Sequence, residues 1–385
     1  MEREYQICTR CVMDTSDPEI QFDEQGVCNH CHDYDRLIQQ RVIKGEAGNQ
    51  YLERLAEKIK REGRGKPYDC LLGVSGGVDS TYVAYVAKTR LGLRPLAVHM
   101  DNGWDSELAV KNIEETLKRL GIDLYTKVLN WEEFKDLQVA FLKASTPDSE
   151  IPSDHAIAAV IGDLAEEMKV RFILTGSNVR TETHLPRAWS QGHFDWKYIR
   201  SVHRKFGKHK LRSFPHQGFF TYYRRLLTLQ RIDILNYLDY NKMEAMQVLE
   251  RELGWKYYGG KHYESIYTRF YQGFILPSKF GYDKRRSHLS SQVCSGEFSR
   301  DAALTDLQKP TYAPSMQEED REYVAKKLGM NDAEFDEIMK LPRRKFGDYP
   351  SYARVIEGPL LKGMYDGLRN IYRTMQRQQN RSRES

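Results

Sequence analysis

Apolar positions fall into two rhythms along this chain. Short apolar runs mark strands at Cys70–Val74, Leu96–Met100, about Asp123–Leu129 and Arg171–Leu174. Between them apolar residues recur at helical spacing. Val78, Tyr82, Val83, Val86 and Ala87 form one such stripe. Leu108, Ile113, Leu117 and Leu120 form a second over 106–120, closed by Gly121. Further helices are expected over 131–144 and from about Ala156 to Lys169. Strand alternating with helix predicts an α/β fold with an open parallel sheet. Upstream, Tyr51, Leu52, Leu55 and Ile59 predict a helical connector that ends at Gly63–Pro67. Downstream, Arg231–Tyr240 reads as strand, and Asn241 caps a helix that runs to Leu253 and stops at Gly254.

The first apolar run stops abruptly at Ser75-Gly76-Gly77-Val78-Asp79-Ser80. A buried strand, a glycine turn and a helix start make an anion site. The glycines admit a phosphate close to the backbone, and free N–H groups of the first helical turn point at it. Ser75 and Ser80 add hydroxyls. Asp79 would repel phosphate unless it holds a bridging Mg2+. No lysine follows the glycines, so this is not the common NTPase loop. It resembles the SGGxDS loop of the ATP pyrophosphatase (PP-loop) superfamily, whose members cut ATP between the α and β phosphates. An ordinary Gly-Gly turn is the bland alternative.

Ligands in such sheets sit at the carboxyl ends of the strands. Asp101, which ends the second strand, and Gly176-Ser177-Asn178, which follow the fourth, are therefore expected to share a crevice with the phosphate loop. Asp101 suits a base or ribose, and Ser177 and Asn178 suit phosphate or ribose. Glu182 is a candidate second Mg2+ ligand. In Ile151–His155, Asp154 or Ser153 either caps the helix expected to follow or, with His155, faces the crevice as a proton-transfer pair.

Composition narrows the class. At 40% hydrophobic and 29% charged over 385 residues, the chain is an ordinary globular protein without a membrane span or signal core. Cytoplasmic location follows by default. A net charge of +5 does not call for nucleic acid. Four of the six cysteines lie in two CxxC pairs, Cys8/Cys11 and Cys28/Cys31. That spacing suits a four-thiolate structural Zn2+ site, with an iron–sulfur cluster as competitor.

Residues 183–225 break the alternation. Five Lys or Arg fall between His203 and Arg212, which reads as a solvated basic insertion or a site for an anionic substrate. Residues 255–291 are dense in polar and aromatic groups and are expected to form part of the site. The expected organisation is a zinc ribbon at 1–35, a connector at 36–67, a PP-loop domain at 68–300 and a helical region at 301–385 with a frayed tail from Gln376.

With these pieces assembled, the chain resembles the N-acetyl sugar amidotransferases of bacterial surface-polysaccharide synthesis. The resemblance is carried by Cys8-Thr9-Arg10-Cys11-Val12, Cys28-Asn29-His30-Cys31, Ser75–Ser80, Gly254-Trp255-Lys256, Gly259–Glu264, Asp283-Lys284-Arg285 and His288-Leu289-Ser290. It implies conversion of an acetamido group on a nucleotide-activated sugar into an acetamidino group, in O-antigen or related glycan synthesis. ATP and Mg2+ would adenylate the amide oxygen, and ammonia would displace AMP. The ammonia would come from a partner glutaminase and cyclase-like pair. On that scheme Lys279, Lys284 and Arg285 are candidates for the phosphate charge. Asp154, His155, His262 and Glu264 are candidates for acceptor binding and proton removal. Two rivals stand beside it. One is a tRNA-thiolating PP-loop enzyme, which would need active cysteines beyond Cys70 and Cys294. The other is a non-catalytic, ATP-binding docking protein.

Overall fold

A computed structural model describes residues 4–260 and 263–353. At its centre lie β1 (Cys70–Gly73), β2 (Pro95–Asp101), β3 (Asp123–Val128), β4 (Phe172–Thr175) and β5 (Gln230–Asp233). All pairings are parallel, in the order β3-β2-β1-β4-β5. The expected α/β class and open parallel sheet are thus present. Alternate residues of β1 serve opposite faces. Cys70 and Leu72 pack with Phe172, Leu174 and the helix Val78–Tyr85. Leu71 packs with Leu96, Val98, Val160 and Leu164 on the other side. Burial on both faces is why β1 reads as an unbroken apolar run.

Local signals set the helix ends. Ser106 caps Glu107–Leu120, and Gly121 closes it at φ 59°. Asn130 caps Trp131–Ala144. Asn241 takes the N–H groups of Met243 and Glu244, and Gly254 ends that helix at φ 65°.

Three expectations need correction. The helix expected from Ala156 spans Ile151–Glu167, and Glu150 precedes its first residue. Pro152 fits there because the first turn does not need its N–H. Ser153 and Asp154 are therefore helical residues and not caps. Next, of the strand-like 231–240 stretch only the first residues join the sheet. Ile234–Tyr237 forms a buried 3-10 turn in which the Asn236 side chain accepts from the Val179 N–H. Last, 183–225 is solvated only in part: Arg204, Lys205, Lys208, Lys210 and Arg212 are exposed as expected, but the segment also carries a buried apolar face. The helix Trp196–Phe206 buries Trp196, Tyr198, Ile199 and Val202 in one core with Phe134 and Phe141. Asp136 accepts from the backbone N–H groups of Lys208 and His209 and pairs with His203 at 3.0 Å. Glu133 accepts from those of Ser213 and Phe214. The basic run is held by its backbone, and burial of two acids is offset by these hydrogen bonds.

The N-terminal segment docks onto the helix Lys284–Ser295. Arg286 pairs with Asp14 at 3.0 Å, and the Val12 N–H donates to Ser290 Oγ at 3.2 Å. The helix Asn29–Arg41 starts inside the second CxxC pair and runs across the 35/36 division. Helices Arg300–Leu307, Pro314–Lys327 and Asp332–Lys340 follow. The tail from Gln376, and His262, lie outside the described residues. Among the described residues no helix is long and apolar enough to cross a membrane.

Candidate active site

The strand order reverses direction at β1, whose neighbours are β2 and β4, so a crevice opens above its carboxyl end. The phosphate loop fills one wall. Gly76 sits at φ 76°, and a Cβ there would stand 2.6 Å from the Ala109 carbonyl oxygen, so only glycine fits. Trp255 Nε1 donates to the Gly76 carbonyl at 2.9 Å and pins the turn. Ser80 Oγ bonds the Gly77 carbonyl at 3.2 Å and lies 3.3 Å from Ser75 Oγ. Val78 opens the helix, with Gly77 extended before it, so the N–H groups of its first turn have no partner within the helix.

Asp79, in that first turn, accepts a hydrogen bond from Tyr240. Burial and the Asp79 carboxylate push the Tyr240 hydroxyl well up, so it stays a donor. The β4 loop closes the opposite wall: a Cβ on Gly176 would lie 2.9 Å from the Ser80 nitrogen. Ser177 Oγ accepts from Arg231 at 2.7 Å. Asn178 is buried and uses its Oδ1 to cap the short helix Val179–Glu182. The cap uses only the oxygen of that amide; its Nδ2, the donor expected for a nucleotide, is buried without a protein partner. Glu182 is exposed at the end of that helix. Asp101 Oδ1 accepts from the Gly103 N–H at 2.8 Å and shapes the β2 turn.

Glu264 comes from the other end of the chain. A Cβ on Gly77 would lie 3.3 Å from the Tyr258 hydroxyl and 3.9 Å from Glu264 Oε1. Burial raises the Tyr258 hydroxyl, and the Glu264 and Asp79 carboxylates raise it further. The carboxylates of Asp79 and Glu264 are hard oxygen donors of the kind that suits Mg2+. These residues would hold it, and it would neutralise departing phosphate.

A second group adjoins this wall. Asn102, which follows Asp101, donates to Ser153 Oγ at 3.3 Å. The next residue, Asp154, lies deep among protein atoms, yet 54% of its side chain is open to solvent. Both are true of a carboxylate lining a wet recess, where a solvent-accessible face survives inside a dense surround. His193 Nε2 lies 3.4 Å from Asp154 and 3.3 Å from Asp148. Lys284 Nζ is 3.7 Å from Glu150. Ser190 donates to Asp148. Burial, with Asp148 and Glu150 nearby, raises Asp154 to about 6, against the pull of His193. Burial opposes ionisation of Asp148, but His193 and Lys284 outweigh it and hold Asp148 at about 2. Unequal carboxylates side by side are a proton-transfer arrangement.

Three candidates are turned away from the crevice. His155 is fully buried; its Nδ1 donates to the His193 carbonyl at 2.8 Å and its Nε2 accepts from the Gln217 N–H at 3.1 Å. Burial lowers it to about 4, so it is a neutral strut. Lys279 donates to the Ile338 carbonyl, capping a helix end, and borders a cavity of about 10 Å³, room for no more than one water. Arg285 clasps Asp283 at 2.7 Å and donates to the carbonyls of Asp306, Lys309 and Pro310. Long side chains with nearby backbone acceptors were claimed by the fold. Asp148, Glu150 and Tyr240 went unnoticed in the sequence; Trp255 signalled its role only as part of a shared motif.

The four N-terminal thiols converge. Sγ–Sγ separations are 3.9 Å for Cys8–Cys31, 3.7 Å for Cys11–Cys28 and 3.8 Å for Cys28–Cys31. A tetrahedron of Zn–S bonds near 2.3 Å has edges of about 3.8 Å. The donor set thus fits one small ion, and a multi-iron cluster would hold the sulfurs further apart.

Comparison with known proteins gives two partial family matches. The family model "LPS biosynthesis protein WbpG-like, C-terminal domain" matches residues 264–362, and "NAD synthase" matches residues 49–145. An uncharacterized protein of Methanocaldococcus jannaschii is 25% identical over 171 residues, 44% of this chain. The chain spans 58% of that curated relative's length. Among solved structures, the NMN synthetase of Francisella tularensis is 15% identical, over 34% of this chain and 56% of that one, at a TM-score of 0.28. The NH3-dependent NAD synthetase of Campylobacter jejuni, in complex with nitrate, is 14% identical, over 77% and 98%, at 0.32. At these scores the overlaps add nothing to the fold, which rests on the sheet. The two family matches support the resemblance to PP-loop amidotransferases of the WbpG-like kind.

Proposed function

We propose that this chain is an ATP-dependent amidotransferase that converts an acetamido group on a nucleotide-activated sugar into an acetamidino group. The observation that carries the reading is the Asn102–Ser153 hydrogen bond, which ties the end of β2, next to the strand that bears the Ser75–Ser80 cradle, to the helix turn that bears the titratable, solvent-open Asp154. The family matches to NAD synthase and to a WbpG-like domain add weight to ATP-driven amidation in glycan synthesis.

An amide carbon is a poor electrophile because its oxygen is a poor leaving group. In the proposed reaction that oxygen attacks the α-phosphorus of ATP, and pyrophosphate departs into the cradle of Ser75, Gly76, Gly77 and Ser80. Asp79 and Glu264 would hold Mg2+, which would neutralise the phosphate charge; Glu264 is preferred to Glu182 because it approaches the loop. Ammonia then attacks the imidate carbon, the new nitrogen sheds a proton to Asp154, and AMP leaves with the former amide oxygen. Lys284 and His193 hold the acceptor and keep the carboxylates poised. Catalysis is positioning and charge neutralisation. Ammonia delivery by a glutaminase and cyclase-like pair, and a cytoplasmic setting, belong to the same proposal.

The test is pyrophosphate release from MgATP with ammonium chloride and a panel of UDP- and CMP-linked diacetamido sugars, with bulk tRNA in parallel. A sugar product with oxygen replaced by NH is the expected result. Release with tRNA alone would replace this reading with RNA thiolation.

A further inference from the structure

We infer that the N-terminal metal centre is binuclear, with a second zinc-type site built from Cys31, His184 and Cys294. The first four thiolates already account for one ion. A second donor group gathers beside Cys31, with His184 also within reach of Cys11. Cys31 Sγ lies 3.7 Å from Cys294 Sγ and 3.9 Å from His184 Nε2, and Cys294 Sγ lies 3.6 Å from that same nitrogen. Each separation is close to the edge of a tetrahedron around one ion. All three donor atoms fall within 4.8 Å of one another.

The histidine is prepared for ligation. Its Nδ1 is 2.9 Å from Ser291 Oγ. With Nδ1–H donating to that hydroxyl, the Nε2 lone pair faces the two sulfurs, the usual outer-shell arrangement of a ligating imidazole. Cys31 and His184 are fully buried, and Cys294 is partly open. The alternative, thiols of Cys31 and Cys294 hydrogen-bonded to the imidazole without an ion, predicts a single zinc ion in the whole cluster. Cys31 would bridge the two ions as a shared thiolate. Three protein ligands leave the second ion one position for solvent.

The three ligands come from distant segments. Cys31 lies on the helix Asn29–Arg41, Cys294 on the helix Lys284–Ser295, and His184 just beyond Val179–Glu182, the short helix that Asn178 caps. A second ion would therefore fasten the ribbon to both the wall of the nucleotide crevice and the helix that bears Lys284. This inference is independent of the acceptor's identity.

Native mass spectrometry of the full chain, purified without chelator, tests it. The expected mass carries two zinc ions, falling to one in Cys294→Ser and in His184→Ala, with circular dichroism unchanged. Cobalt loading of the unmutated protein gives a second readout: two Co2+ ions sharing a thiolate should couple, so the paramagnetic signal per cobalt falls as the second equivalent binds. A single ion in the unmutated protein overturns the inference. So does a count of two that survives both substitutions. Should either variant fail to fold, the count and the cobalt titration of the unmutated chain decide alone.

Discussion

The phosphate cradle and the Asp154 recess, linked through Asn102 and Ser153, are made by opposite means. The cradle is backbone: a left-handed Gly76, an extended Gly77 and the first turn of one helix, braced by Trp255 and Tyr240. Its N–H groups have no titration state. The recess is side chain: Asp148, Glu150, Asp154, His193 and Lys284, drawn from separate stretches, whose charges set one another. A fixed cradle suits a constant reactant such as a polyphosphate. A tunable recess suits proton traffic and a variable acceptor.

The comparison can be broken most forcefully at the cradle. Gly76→Ala puts a methyl 2.6 Å from a backbone oxygen at positive φ. It should cost about 1–3 kcal/mol in a denaturant melt and abolish ATP binding by calorimetry. Asp79→Asn keeps a partner for Tyr240 and should leave the melt nearly unchanged, while pyrophosphate release falls roughly 10²–10³-fold. Normal release in that variant would remove Asp79 from the metal site.

The recess should respond differently. Lys284→Met leaves the carboxylates uncompensated. Acceptor KM should rise with ATP affinity within twofold, and equal effects on both would merge the two sites into one. Asp154→Asn sharpens the contrast through pH. The folded carboxyl sits at about 6, raised above its usual value, so the folded state holds its proton more tightly than the unfolded chain does. That contribution to stability is complete below about pH 4 and is lost as pH rises through 6. The amide variant should therefore melt higher than the parent at pH 7.5, by about 1 kcal/mol after allowing for solvent screening, with no gain at pH 4. In the parent, kcat/KM should rise through about pH 6, and Asp154→Asn should flatten that limb. The smallest effects belong to Lys279→Met and Arg285→Lys, which should leave KM for ATP and acceptor within twofold. A tenfold rise in either would return that side chain to the crevice.

What could be read from the chain follows the same division. The cradle, β1, β2 and the helices capped by Ser106, Asn130 and Asn241 depend on residues adjacent in sequence, so spacing reveals them. The four-cysteine set is legible because each CxxC is local. The recess depends on Asp148 meeting His193 and Lys284 across the fold, and no local pattern encodes that meeting. His155 and Arg285 misled for the complementary reason. Their chemistry suits a site, but a backbone carbonyl or a neighbouring aspartate had already taken them. The start of Ile151–Glu167 escapes the sequence because Ser153 and Asp154 suit a cap equally well, whereas Pro152 already stands in the first turn.

The most direct test of the account follows one atom. With the acetamido oxygen of the acceptor isotopically labelled, turnover with MgATP and ammonia should move the label into the phosphate of AMP, one label per acetamidino group formed. Label retained on the sugar, or released to water with unlabelled AMP, would contradict adenylation of the amide oxygen and with it the pairing of the cradle and the recess.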